Sequence, residues 1–176
     1  MTINKNSFRG RTAYKSGQFF ETLVEYSCSR YKQAGIADIQ KTPEPMRIVK
    51  PINRDKGLFQ AVFAKQAQPD FKGVLYGGRM VMFEAKRTKA TNIAKDRVSD
   101  EQTISLNSAT ELGAECFVLV SFSEQRYFKV PWMKWRNMEM EFNKKSVNQD
   151  DLHPYEVYFE GGMLDFLRTF EERETK

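Results

Sequence analysis

At 176 residues, with 40% hydrophobic and 29% charged residues, the chain has the size and composition of one globular domain around a single core. No apolar run approaches the roughly 18 residues of a membrane span, and the polar, basic opening MTINKNSFRGRTAYKSG has no apolar signal stretch, so a cytoplasmic address with no membrane partner is expected. Charge is uneven, with 23 Lys+Arg against 13 Asp+Glu in residues 1–137 and 5 against 10 in residues 138–176; so basic a body favours a polyanion, foremost nucleic acid, over a merely solubilising surface.

Residues 1–16 carry Lys5, Arg9, Arg11 and Lys15 with little apolar matter and read as a flexible basic arm, either a phosphate contact or a plain chain end. From about Gln18 to Ala34, Phe19, Phe20, Leu23, Val24, Tyr26 and Tyr31 follow a helical period that stops at Gly35. Glu21 and Cys28 ride on this helix. Ile36–Lys50 reads as a strand leading into a segment stiffened by Pro43 and Pro45. Residues 50–65 set Lys50, Arg54, Lys56 and Lys65 against one acid, Asp55, and interleave Leu58, Phe59, Val62 and Phe63. Two readings stand: a buried helix with a basic rim, or a protruding element that offers cations and aromatics to nucleic acid.

The informative stretch is QAQPDFKGVLYGGRMVMFEAK, residues 66–86. Gly77 and Gly78 break two strand-like runs, and pairing those runs as a hairpin returns Asp70 and Glu84 to the same end. In an extended strand residues two apart share a face, so Glu84 and Lys86 point the same way. Two carboxylates and an ammonium then converge, which is the PD-(D/E)xK arrangement of metal-dependent nucleases. Two hard oxygen ligands can hold Mg²⁺ with water completing its shell, and the lysine can orient or deprotonate the attacking water. The spacing alone is degenerate. Its context is more telling: Met80–Phe83 has no polar residue, the pattern of a strand covered on both faces, and charges at the end of such a strand must face a site or solvent. Glutamates on the first helix approach the metal in many nucleases of this type, but an exposed helical glutamate is also common, so Glu21 stays open between those roles.

Residues 87–97, with Arg87, Lys89 and Arg97, form a basic loop, and a helix from near Ser99 to Gly113 carries Gln102, Ile104, Leu106 and Leu112. Two strands follow, Cys116–Phe122 and Arg126–Val130, stopped by Pro131, with Trp132 and Trp135 at the core edge. From Gly161 on, Met163, Leu164, Phe166, Leu167 and Phe170 predict an amphipathic helix. Cys28 and Cys116 read as free buried thiols. The single histidine, His153, precedes Pro154 in an acidic loop and argues against zinc or Ser-His chemistry. The order of elements is that of an α/β domain with a central mixed sheet flanked by helices.

The chain resembles the RecU family of Holliday junction resolvases, bacterial and phage-encoded, from about Gly17 to its C-terminal end. The resemblance rests on Gly17–Glu21, Ala34–Lys41 with Thr42–Val49, Ala64–Gln66, Asp70–Gly73, Phe83–Lys86 with Thr88, Gln102, and Cys116–Phe122. It implies a restriction-endonuclease-like core in residues 17–176, a homodimer, and Mg²⁺-dependent symmetric cleavage of four-way junctions in recombination and repair, with Mn²⁺ as a substitute ion and recombination proteins as partners. It also implies Asp70 and Glu84 as metal ligands, Lys86, Glu21 and Gln102 as further site residues, and residues 50–65 as a stalk entering the junction centre. The DNA-binding set expected is Arg9, Arg11, Lys15, Lys41, Arg54, Lys56, Phe59, Lys65, Arg87, Lys89 and Arg97. The chain departs from the family pattern at Ala67-Gln68-Pro69 and at the turn Tyr76–Gly78, both beside the site. Rival readings are a nuclease of the same fold acting on duplex ends or nicks, and a catalytically idle junction-binding protein.

Overall fold

The computed structural model describes residues 5–63 and 68–168, with side chains from residue 19 onward. In chain order the first elements are helix α1 (Lys5–Gln33) and strands β1 (Ala37–Lys41), β2 (Met46–Asn53), β3 (Leu58–Phe63), β4 (Phe71–Leu75), β5 (Met80–Thr88) and β6 (Asn92–Ala94). Helix α2 (Asp100–Glu111), strands β7 (Glu115–Phe122) and β8 (Arg126–Pro131), and short helices α3 (Trp132–Arg136) and α4 (Met138–Phe142) follow. The chain continues through β9 (Ser146–Asn148), β10 (Glu156–Val157), β11 (Phe159–Glu160) and β12 (Met163–Leu164). Six strands form one sheet in the order β1-β4-β5-β7-β8-β10; only β5 and β7 run parallel, joined by the crossover through α2.

Alternation along the strands divides the core between the two sheet faces. Val81 and Phe83 of β5 and Phe117 and Leu119 of β7 face α1, where they meet Phe20, Val24, Cys28 and Tyr31. Phe71, Phe83 and Phe117 stack across three adjacent strands, with ring centroids 4.9 and 4.5 Å apart. Met82, Val118 and Val120 face the other way, onto Leu106 and Ala109 of α2 and onto Trp132 and Trp135. The central strands are therefore covered on both faces, as their unbroken apolar runs require. Ser99 caps α2, its hydroxyl accepting from the Gln102 N–H while the Gln102 side chain accepts from the Ser99 N–H.

Two boundaries differ from the sequence expectation, and the open choice for residues 50–65 is decided against the buried helix. Helix α1 begins at Lys5, so residues 5–16, expected as an arm, continue the helix: no proline interrupts them, and adding turns to an existing helix is cheap compared with nucleating one. Residues 46–63 form a hairpin, β2 on β3, not a buried helix, and every residue of both strands is exposed. Pro51 is tolerated there because a two-stranded ribbon has free edges, and the register shifts on either side of it. The expected C-terminal helix is absent over the described part of that segment: Gly161 and Gly162, at φ 58° and 79°, turn the chain so that β11 pairs with β12. Leu164 and Phe166 are buried against α1 from that turn; Phe170 lies outside the described residues.

Candidate active site

The β4–β5 hairpin closes through Gly77 and Gly78, at φ 88° and 89°, and its register pairs Phe71 with Phe83. Asp70 and Glu84 are the next residues outward on the two strands. Because Phe71 and Phe83 point at α1, Asp70 and Glu84 point to the opposite face, the side of α2. Each carboxylate is held by the other strand's backbone. The Asp70 N–H donates to Glu84 Oε2 at 3.1 Å, and the Ala85 N–H donates to Asp70 Oδ2 at 3.0 Å. Lys86, on the same face as Glu84, donates to Glu84 Oε1 at 2.6 Å, and Gln102 Nε2 donates to that oxygen at 2.6 Å. The other end of the Gln102 amide is spent on the helix cap, so one side chain ties the start of α2 to the carboxylate.

Glu84 is only 1% exposed. Burial, followed by the negative charge of Asp70, pushes its pKa from 4.5 up to about 7 against the opposing pull of Lys86. Two carboxylates forced together in this way are a fitting donor set for a divalent cation, which neutralises both; Mg²⁺ needs only one or two protein carboxylates because it keeps most of its waters. Among the described residues no third Asp, Glu, His or Cys completes a cluster with them.

Glu21 is not brought to this cluster. Its carboxylate accepts from Lys41 Nζ at 2.7 Å, and Lys41, paired with Phe71 in the β1–β4 register, points toward α1 and away from the face of Asp70. The helical period that runs past Glu21 does not tell which sheet face the helix covers. Lys41 itself also reaches Glu25 at 3.4 Å. Of the residues expected to contact DNA, Arg54 and Lys56 occupy the hairpin turn and Phe59 follows on β3, all exposed. Arg87 pairs with Glu124 at 2.7 Å, Arg97 donates to the Arg87 carbonyl at 3.3 Å, and Lys89 is exposed. The side chains of Arg9, Arg11 and Lys15, and all of Lys65, lie outside the described residues. Cys28 and Cys116 are free and buried, and His153 sits in an exposed turn beside Glu156. Among the described residues no helix is long and apolar enough to cross a membrane.

The sequence matches the family model described as RecU, Recombination protein U, over residues 15–172. Relatives named Holliday junction resolvase RecU include one from Lactobacillus delbrueckii subsp. bulgaricus, 30% identical over 146 residues that cover 76% of this chain and 67% of the relative. Another, from Bacillus licheniformis, is 28% identical over 179 aligned positions that cover 95% of this chain and 89% of the relative. Among solved structures, Hjc, a Holliday junction resolvase from Archaeoglobus fulgidus, aligns with 75% of this chain and 91% of its own at a TM-score of 0.45 and 13% identity. With the family match running through both hairpins, the carboxylates and the helix that carries Gln102, this chain belongs to the RecU family.

Proposed function

We propose that this RecU-family chain is a structure-selective endonuclease that resolves four-way DNA junctions by Mg²⁺-dependent phosphodiester hydrolysis, working as a homodimer. The observation that supports this most directly is the buried Glu84, crossed with Asp70 and fixed by Lys86 and Gln102. Asp70 and Glu84 would hold the cation, which when bound supplies charge neutralisation at the scissile phosphate and acidifies water. The chain's own part is positioning. The Ala85 N–H sets the direction of the Asp70 carboxylate, Gln102 and Lys86 fix the rotamer of Glu84, and the Lys86 ammonium, 17% exposed, stands where it can donate to an incoming water and orient it. The exposed β2–β3 hairpin, with Phe59 at 46% and Phe63 at 70% exposure, suits a stalk that enters an open junction centre, where unstacked bases are available.

The test compares a mobile four-way junction, a linear duplex and a single strand, each with and without Mg²⁺. Paired incisions confined to the junction and dependent on the ion are expected. Equal cutting of the duplex would turn the reading to a nuclease of duplex ends or nicks, and junction binding without any cutting would turn it to an idle binder. Asp70→Asn and Glu84→Gln should each lower the cleavage rate by about a thousandfold or more while junction binding in chelator stays within about twofold of wild type, because phosphate contacts elsewhere carry affinity. Either variant cutting at the wild-type rate would remove these carboxylates from the site.

A further inference from the structure

Helix α2 is engaged on two sides near its start. Gln102 reaches Glu84, while Asp100, Thr103 and Asn107, at helical spacing on a neighbouring side, line a cavity of about 690 Å³ whose other wall includes Trp132, Trp135 and Arg136 of α3. That volume suits a ligand of nucleotide size. The Trp132 Nε1–H donates to Asn107 Oδ1 at 2.8 Å, and because an indole nitrogen only donates, the amide is held one way round with Nδ2 as a fixed donor. Neither Asn107 Nδ2 nor the Thr103 hydroxyl has a partner among the described residues, and both are reachable by solvent. Lys95, Arg136 and Lys145 line the same cavity, as do Asp96, Asp100 and Glu139, and among the described residues none of these six side chains is ion-paired. Charges of both signs in equal number make a poor patch for phosphate alone. They suit a ligand with an anion at one end and hydrogen-bonding edges at the other, as a nucleotide has: phosphate for the cations, amino groups for the carboxylates, a ring acceptor or carbonyl for the Asn107 amide. A helix with its side chains is about 10–12 Å across and nucleotides advance about 3.4 Å along a strand, so the cavity lies about three nucleotides from a phosphate held at Asp70 and Glu84.

We propose that this cavity is a nucleotide site: it receives one unstacked base of the junction strand, about three nucleotides from the cut, and thereby gives cleavage a sequence preference. The proposal rests on the nuclease reading above. Taking a base out of its stack is costly in a duplex and cheapest where pairing is already broken, as at a branch point. The three carboxylates oppose a continuous phosphate backbone in the cavity, which favours a single base entering from outside over a duplex lying across it. In the sequence the two tryptophans stood only for the core edge; that Thr103 and Asn107 meet them across a cavity shows in the fold.

Both tryptophans of the chain line this cavity, so tryptophan fluorescence of the full-length protein reports its occupancy. In chelator, wild type is titrated with each of the four deoxynucleoside monophosphates and, separately, with inorganic phosphate. At least one nucleotide should give a saturable change with a half-point of about 1 mM or below, and phosphate none. Thr103→Phe, which fills the cavity, should abolish the change. The double variant Arg136→Glu with Lys145→Glu alters only exposed side chains, so it keeps the fold, and should weaken binding at least about tenfold. A second arm measures single-turnover cleavage with Mg²⁺ of junctions carrying an abasic site in place of one base near the cut. Replacement at one position about three nucleotides away should slow wild type about tenfold or more, and the double variant should be indifferent to it. If no nucleotide changes the fluorescence, or phosphate alone does as much, the cavity is not a nucleotide site. A nucleotide that binds while every abasic junction is cut at the full rate would make this a site for free nucleotides and overturn the assignment to DNA. Asp70→Asn keeps the two readings apart: if it cuts, the nuclease site is wrong, while the fluorescence titrations still judge the cavity.

Discussion

Glu84 accepts three hydrogen bonds, yet burial and the charge of Asp70 still push its pKa up to about 7. Its unfolded value is the ordinary 4.5, so between those two values the folded, metal-free protein holds a proton that the unfolded chain releases. The stabilisation this gives is complete below 4.5 and is lost as pH rises through about 7. Metal-free wild type should therefore melt at progressively lower temperature from pH 5 to pH 7.5, and Glu84→Gln should flatten that part of the profile. Mg²⁺ should restore the wild-type midpoint at pH 7.5 and do little for the glutamine variant. Coincident pH profiles for the two proteins would show that another group titrates. Asp70, Glu84 and Lys86 were legible in the sequence because a two-residue period and a Gly-Gly turn fix both their face and their end of the hairpin. Glu21 was not, because a helical period gives the buried side of a helix but not which sheet face it covers. Gln102 was named as a site residue only by the family resemblance; both of its bonds, the cap at Ser99 and the donation to Glu84, needed the fold.

Among the elements, β1 and β4 approach so closely at Gly73 that a Cβ there would lie 2.1 Å from the Asp38 carbonyl oxygen and 2.6 Å from the Ile39 Cα. Both obstacles are backbone and cannot step aside. Gly73→Ala should cost roughly 1–3 kcal/mol in denaturant unfolding, and it should damage cleavage too, because β4 leads directly out of Asp70. An unfolding midpoint equal to wild type would mean that the strands are not so close. The β2–β3 hairpin gives the opposite expectation. Its strands form a sheet of their own and bury none of their side chains, so replacing residues 54–60 with a short Gly-Ser linker should leave circular dichroism and the thermal midpoint unchanged. The same change should abolish preference for a four-way junction over a duplex; a folded variant that keeps full preference would exclude the hairpin from recognition. Its composition announced an unusual element, but basic and aromatic residues in alternation suit a buried helix or an exposed ribbon equally. The tail misled for a related reason: Leu164 and Phe166 can serve one buried face from a turn as well as from a helix, and the decisive pair, Gly161 and Gly162, lies before them.

At the scale of the whole molecule, each chain brings the Asp70–Glu84 pair to one place, whereas symmetric resolution requires two cuts related by a two-fold axis. Light scattering at assay concentration should give a dimer, and mixed dimers of wild type with Asp70→Asn should nick one strand of a junction without resolving it. Paired, concerted incision by a monomer would refute this. The basic body should provide affinity without shape selection, so neutralising Lys89 and Arg97 together should weaken junction and duplex binding in step and reduce the salt dependence of both. A final consequence follows from the crossed bonds between β4 and β5, where each carboxylate is held by the backbone of the opposite strand. A slip of one residue between these strands would turn Glu84 and Lys86 to the face of α1 and leave Asp70 without its N–H donor. Misfolded or half-made chains are thereby disarmed: the fold acts as the safety catch, released only when the sheet has closed in register.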